Sequence, residues 1–202
     1  MYFSLVTITS LALALASRRP LGWLLDARFR FIWVLWLAIA IRLLFVPGAL
    51  YPLLSRTPFG GLPRVGGMLY ILSLAMVVLF TWLNRRILGI AVIGLGLLLN
   101  ALVIGANGGQ MPVDPAQAVA SGQADELAAP GMRGEWSTFT LAKPETRLSL
   151  LGDRISVPMP FKEPSILSLG DLVISAGILL FFLLPPRGAV PQGQPTPRVQ
   201  GE

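Results

Sequence analysis

A few aspartates, asparagines and serines are the residues of this chain that could do chemistry. Asp153 and Asp171 form a conceivable pair of carboxylates for general acid–base work. Ser168, Asp171 and Ser175 are spaced i, i+3 and i+7, which places them on one face of a helix. The chain has no His and no Cys, so thiolate nucleophiles, imidazole proton transfer and zinc-finger ligand sets are excluded. We therefore expect both aspartates to cap helices or turns, and we expect neither an enzyme nor a cofactor or metal.

A second polar group lies at the end of the fourth apolar stretch. Asn107, Gly108 and Gly109 precede Met-Pro, which predicts a helix stop, because Asn and Gly adopt the left-handed conformation after a helix and Pro cannot continue it. The same three residues could form a backbone nest for an anion. No lysine follows the glycines as in a phosphate-binding loop, so we favour the helix end. Asn100 lies seven residues before Asn107 and shares its helix face.

Arg42 interrupts an otherwise apolar stretch. Charged residues inside a membrane span usually face the helix bundle or form pairs. Two interpretations stay open: an ion pair with Asp171, or an arginine that reaches lipid headgroups alone while Asp171 is a first-turn acid at a helix N-terminus. The candidate polar cluster therefore comprises Arg42, Asn100, Asn107, Gly108, Gly109, Asp153, Ser168, Asp171 and Ser175.

The elements that must position these residues are strongly apolar. Of the 202 residues, 54% are hydrophobic and only 13% are charged, and the mean hydropathy is +0.70. Soluble proteins carry about 25% charged residues, so the composition predicts an integral membrane protein. About 20 apolar residues cross the hydrocarbon core, and five stretches approach that length: residues 1–17, 31–49, 65–84, 87–113 and 167–184. The first is expected to be an uncleaved anchor, because its positive charges follow it.

The distribution of Lys and Arg predicts the orientation. Segments 17–30, 84–86 and the tail carry eight positive residues, whereas segment 50–64 carries two. Positive loops stay in the cytoplasm, which predicts an extracytoplasmic N-terminus and a cytoplasmic C-terminus. The short 84–86 turn predicts a tight helical hairpin. The expected organisation is a four-helix membrane region (1–106), an extracytoplasmic cap (107–166), a fifth transmembrane helix (167–184) and a disordered cytoplasmic tail (185–202).

Local signals predict some structure within the cap. Asp114 and Pro115 fit the N-cap and first position of a short helix, which should run to about Ser121 and stop at Gly122. Residues 136–160 have a β-like or irregular pattern. The expected fold class is an all-α membrane protein with five transmembrane helices. Short helices and irregular or β-like segments between helices four and five form its extracytoplasmic cap.

Several motifs in combination resemble one family. They are Asn84-Arg85-Arg86, the run 107–113 (Asn-Gly-Gly-Gln-Met-Pro-Val), the run 157–161 (Val-Pro-Met-Pro-Phe) and Ser168-Leu169-Gly170-Asp171. These motifs resemble the DUF5317 family of uncharacterised bacterial membrane proteins, over most of residues 1–184. The chain departs from that pattern at Ser156, where relatives usually have proline. The resemblance implies a multi-pass protein of the bacterial cytoplasmic membrane and implies no reaction.

The predicted function is that of a non-enzymatic accessory or scaffold subunit of a membrane complex. Five short helices rich in Gly, Leu and Ala offer little interior, and they would pack laterally through small-residue faces. The expected partners are the lipid bilayer and other membrane-protein subunits. Nucleic acid is not expected, because no basic stretch exceeds two residues. The alternative is a small transporter or ligand-binding sensor that uses the polar cluster at the outer end.

Overall fold

The computed structural model describes residues 2–17, 21, 23–45, 63–125, 138–160 and 162–184. The helices in these ranges are α1 (Tyr2–Ala16), α2 (Trp23–Asp26), α3 (Ile32–Phe45), α4 (Pro63–Leu83), α5 (Leu88–Ala106), α6 (Pro115–Ala120) and α7 (Leu169–Leu183). The strands are β1 (Met111–Val113), β2 (Phe139–Leu141), β3 (Ile155–Met159) and β4 (Lys162–Leu167), and a 3-10 turn covers Ser149–Leu151. The predicted disordered tail, 185–202, lies outside the described residues.

Among the described residues, one helix is long and apolar enough to cross a membrane. This helix is α5, whose 19 residues rise about 28 Å. Helices α1, α3 and α7 and the Met68–Leu83 part of α4 are apolar but shorter. The described chain is thus mostly helical. By helix length it has one candidate transmembrane span, and helix length does not support five spans. The predicted fourth span, 87–113, was too long because the apolar run continues through a turn and into β1.

The cap contains four short strands, so the described chain is mostly helical rather than all-α, and β structure lies in the cap, where β-like segments were expected. Strands β1 and β2 are parallel, with Met111 opposite Phe139. Strands β3 and β4 are antiparallel, with Ile155 opposite Leu167. A parallel pair needs a long crossover connection, and α6 lies within that connection. The strands form because backbone groups that leave the helices still need hydrogen-bond partners.

The main helix packing runs in the order α3, α4, α5, α7 and α1. A buried core joins Tyr70 and Leu74 of α4 to Val103 and Ile104 of α5 and to Met111 of β1. This core therefore lies where the end of α5 enters the cap.

Asn84 fixes the opposite end of the helical region. Its side-chain oxygen accepts a hydrogen bond from the Arg30 backbone N–H at 2.8 Å. Its side-chain nitrogen donates to the carbonyl groups of Arg30 and Phe80 at 3.0 and 2.8 Å. These hydrogen bonds connect the segment before α3 to the turn between α4 and α5. Helices α4 and α5 pack against each other as the tight hairpin that the sequence predicted.

Candidate functional site

The candidate site is built where α5 and α7 pack closely through glycines. A Cβ atom on Gly96 of α5 would lie 2.5 Å from the Gly170 carbonyl oxygen and 2.8 Å from the Ile174 nitrogen. A Cβ atom on Gly177 of α7 would lie 2.6 Å from the Ile93 nitrogen. Only glycine permits such an approach of two helix backbones. The contact brings the middle of α5 against the first turns of α7.

The first turn of α7 is closed by its own side chains. The hydroxyl of Ser168, the N-cap residue, accepts a hydrogen bond from the Asp171 N–H at 3.0 Å. The Asp171 carboxylate accepts one from the Ser168 N–H at 3.0 Å. This reciprocal arrangement is a capping box, in which Asp takes the place of the usual Glu or Gln. The prediction that Asp171 caps a helix is therefore confirmed.

Asn100 of α5 joins this cap from the neighbouring helix. Its amide nitrogen donates to Asp171 Oδ1 at 2.9 Å, and its amide oxygen accepts from the Ser168 hydroxyl at 2.9 Å. The Asn100 amide oxygen occupies the space that a Cβ atom on residue 170 would need, so this position requires glycine. Ser168 is fully buried, whereas Asn100 and Asp171 are half-buried, so the network satisfies the polar atoms of a serine that water does not reach.

Ser175 extends the same face of α7 toward α1. Its hydroxyl donates to the Asp171 carbonyl at 2.7 Å and is hydrogen-bonded to the Tyr2 hydroxyl at 3.0 Å. The predicted i, i+3, i+7 face thus turns inward, toward α5 and α1, and each of its polar side chains has a partner.

Asp153 lies beside this network but is satisfied differently. Its backbone N–H donates to the Pro112 carbonyl, and its own carbonyl accepts from the Asp114 N–H, both at 2.9 Å. The side chain is 5% exposed, and its Oδ1 has no hydrogen-bond partner. Burial, followed by the negative charge of Asp171, raises the pKa of Asp153 to about 8. At neutral pH Asp153 is therefore mainly a neutral carboxylic acid.

The Asn107 turn ends α5 and holds the cap. The Asn107 side chain donates to the carbonyl groups of Val103 and Arg147 at 2.8 Å and accepts from the Arg147 N–H at 3.1 Å. Gly108 and Gly109 have φ angles of 68° and 93°, the left-handed region that glycine favours. The Gly109 N–H donates to the Ile104 carbonyl, so it serves the helix end that we favoured over an anion nest.

Arg42 lies apart from the other candidate residues. Its guanidinium carbon is 4.9 Å from the centre of the Tyr70 ring, a cation–π contact between α3 and α4. The structure shows an ion pair between Arg154 and Asp114 in the described part of the chain. In that part it shows none between Arg42 and Asp171. Asp171 is instead held by Asn100 and Ser168.

Two structural features were missed at the sequence level. The glycine pairs 89/96 and 170/177 are each spaced by seven residues, a signal of a close helix contact that the sequence did contain. The Asn84 bridge to the Arg30 backbone has no such signal, because the sequence does not indicate which loop an asparagine contacts. Within the described ranges, no three His, Cys, Asp or Glu side chains are grouped as metal ligands.

These features define a mostly helical, strongly apolar protein in which a polar network joins two glycine-packed helices and the Asn107 turn holds a small cap at one end of them. Residues 26–183 match the family of unknown function DUF5317, and the chain belongs to that family. An uncharacterised protein of Thermotoga maritima is 32% identical over 117 residues, which cover 57% of this chain and 63% of the relative. The match thus spans less than two thirds of that relative's length. No solved structure matches the chain.

Proposed function

We propose that the chain is a five-span membrane protein that serves as a non-enzymatic accessory or scaffold subunit of a membrane complex. The observation that supports this proposal most strongly is the exposure of large apolar side chains on the long helices. On α3, Trp33, Trp36 and Leu43 are 60%, 63% and 66% exposed. Met68 and Trp82 on α4 are exposed to a similar extent. In water such a surface would be an aggregation liability, whereas lipid or a partner helix covers it favourably.

Helix length is compatible with five spans if the bilayer adapts. Helices α1 and α7 have 15 residues and α3 has 14, which corresponds to rises of about 21 to 23 Å. A short span is accommodated by local thinning of the bilayer or by side chains that reach the interface, at a modest cost. The resulting short helices bury little among themselves, which favours lateral packing on a partner.

The segments found at the two ends of the helical region support the proposed orientation. The Asn84 bridge places the loop that carries Arg28 and Arg30 beside Arg85 and Arg86, as the cytoplasmic assignment of both segments requires. The opposite end carries the cap, which contacts the ends of α5 and α7. On this proposal the cap is extracytoplasmic, and no cofactor is required.

Affinity purification in a mild detergent tests the accessory role. The tagged full-length chain should co-purify with one membrane protein in a fixed ratio. The double variant Trp36→Ala/Leu43→Ala, on the exposed face of α3, should lose that partner. Leu150→Ala removes a side chain that is equally exposed, but in the cap, and should retain it. Recovery of a folded single copy with no partner would contradict the proposal.

One observation favours a second candidate, a small transporter or ligand-binding sensor. The buried Asp153 Oδ1 has no partner, and an unsatisfied buried carboxyl group is a typical feature of functional sites. On this alternative, Na⁺, Mg²⁺ or Ca²⁺ chloride would raise the thermal stability of the lone protein at constant ionic strength. The Asp153→Asn variant would abolish the increase. An equal response of variant and wild type would reject the alternative.

A further inference from the structure

The turn between α4 and α5 collects four arginines at one end of the helical region. Arg85 and Arg86 lie in the turn itself, and the hydrogen bonds of Asn84 to the Arg30 backbone bring Arg28 and Arg30 beside it. We call these four residues the arginine cluster. All four side chains are exposed.

Acidic residues near the arginine cluster are scarce. The sequence contains no Asp or Glu between residues 27 and 113, and Asp26 is the one acid that closely precedes the cluster. The ion pair found in the described part of the chain, Arg154 with Asp114, belongs to the cap. The cluster therefore carries a net positive charge that the described side chains leave uncompensated.

An apolar groove begins at the same turn and runs along the helices. It lies between α4 and α5 and has a volume of about 270 Å³. Positions 78 and 82 on α4 and position 85 in the turn follow one wall, and positions 91, 95 and 98 follow one face of α5, so the α5 wall spans about 10 Å. The groove is lined by Val78, Trp82, Arg85, Ala91, Leu95 and Leu98.

Arg85 connects the groove to the arginine cluster. Its guanidinium group stacks over the Trp82 ring at 4.3 Å and donates one hydrogen bond to the Trp82 carbonyl at 2.9 Å. A guanidinium group has five N–H donors, so most of them remain for an anion at the mouth of the groove. The Trp82 ring, itself exposed, flanks the apolar wall, as tryptophan does at membrane interfaces.

We propose that the α4–α5 groove and the arginine cluster together bind one anionic glycerophospholipid, with an acyl chain in the groove and the phosphodiester group on Arg85 and its neighbours. Basic pockets between helices on the cytoplasmic side are a known means of holding anionic headgroups. Arginine forms paired hydrogen bonds with phosphate oxygens, and a zwitterionic headgroup would add a positive charge to an already positive site. The inference rests on the proposed membrane location and adds a ligand to it.

Native mass spectrometry of the full-length protein in neutral detergent tests the proposal. The protein is equilibrated with equal amounts of phosphatidylglycerol and phosphatidylcholine that carry the same acyl chains. We expect one retained phosphatidylglycerol per protein and a preference of about tenfold over phosphatidylcholine, because each arginine near an anionic lipid adds several-fold. Arg85→Gln/Arg86→Gln should abolish most of the preference, whereas Arg85→Lys/Arg86→Lys should keep much of it.

The matched control removes the same number of positive charges from a different part of the protein. Lys143→Gln/Arg147→Gln removes two exposed positive charges from the cap and should leave the preference unchanged. Ala91→Leu fills the groove without altering the charge, and it should reduce the amount of bound lipid. All variants should unfold within a few degrees of the wild type before lipid is added, which separates lost binding from lost folding.

Three results would overturn the proposal. They are an undiminished preference in Arg85→Gln/Arg86→Gln, an equal loss in the cap control, and displacement of the lipid by chain-free glycerophosphoglycerol at the same concentration. The last result would indicate a phosphate site that does not use the groove. A separate result, obtained during purification, would contradict the proposed membrane location: the protein would be recovered in solution without detergent.

Discussion

Replacement of Gly96 by alanine should weaken the α5–α7 contact on which the polar network depends. The new Cβ atom would meet the Gly170 carbonyl oxygen at 2.5 Å and the Ile174 nitrogen at 2.8 Å, whereas ordinary contacts begin at 3.4 Å. Ile174 Cγ1, at 2.7 Å, can move with its side chain, but the Gly170 oxygen and the Ile174 nitrogen belong to the backbone, so side-chain rotation alone does not relieve the contact. The two helices must separate locally by about 1 Å.

The expected magnitude follows from two opposing effects. Insertion of a methyl group into a packed contact typically costs about 1 to 3 kcal/mol. Alanine in a helix regains about 0.5 to 1 kcal/mol relative to glycine. The difference between the two effects is about 0 to 2.5 kcal/mol. Because the nearest atom belongs to the backbone, we expect the upper part of that range, about 1 to 2.5 kcal/mol, which lowers the Tm of a chain of this size by about 2 to 10 °C.

Gly105 supplies a control in the same helix. A Cβ atom on Gly105 meets nothing within 4 Å, so Gly105→Ala should keep or slightly raise the Tm through helix propensity alone. The assay is thermal unfolding of both variants and the wild type in one detergent. A Gly96→Ala protein as stable as the wild type would refute the close-packing argument, as would an equal loss in Gly105→Ala.

Three further predictions concern single buried polar side chains. Ser168→Ala removes the cap of α7 and the bond to Asn100, and should lower the free energy of unfolding by about 1 to 2 kcal/mol, whereas Ser156→Ala, on an exposed strand position, should be neutral. Asn84→Ala, which loses the Arg30 bridge, should cost a similar amount in thermal unfolding, and an unchanged Tm would contradict the bridge. Because the folded-state pKa of Asp153 is raised from 3.8 to about 8, the folded state holds a proton that the unfolded state releases, so stability should fall as the pH rises from about 4 to about 8. Asp153→Asn should flatten that fall in Tm measurements at about pH 5 and about pH 8, and an identical slope would show that another group titrates.

The sequence predicted those parts of the site that depend on local chemistry. Asp114 accepts from the Ala116 and Gln117 N–H groups, and α6 ends near Gly122, whose φ is 73°, as the cap and stop signals indicated. The inward face of Ser168, Asp171 and Ser175 followed from helix periodicity alone. These features lie within a turn or two of the residues that specify them.

The remaining parts depend on which elements meet in space. Asn100 contacts the N-terminal capping box of α7 across 71 residues of sequence. The backbone of Asp153 is hydrogen-bonded to Pro112 and Asp114, about 40 residues earlier in the chain, so no local pattern contains either contact. The sequence leaves open whether Arg42 pairs with Asp171, because it indicates the depth of a residue in the membrane and not its lateral position. The strands of the cap were only partly predicted, since three-residue strands such as β1 are specified by their partners.

Cysteine labelling tests most directly the claim that the helices cross a bilayer with the cap outside. The natural chain has no Cys, so Glu145→Cys in the cap and Gln194→Cys in the tail each provide a single thiol. A membrane-impermeant maleimide added to intact cells should label the protein at position 145 and should reach position 194 only after the cells are permeabilised. Labelling of position 194 in intact cells while position 145 stays unreacted would contradict the account.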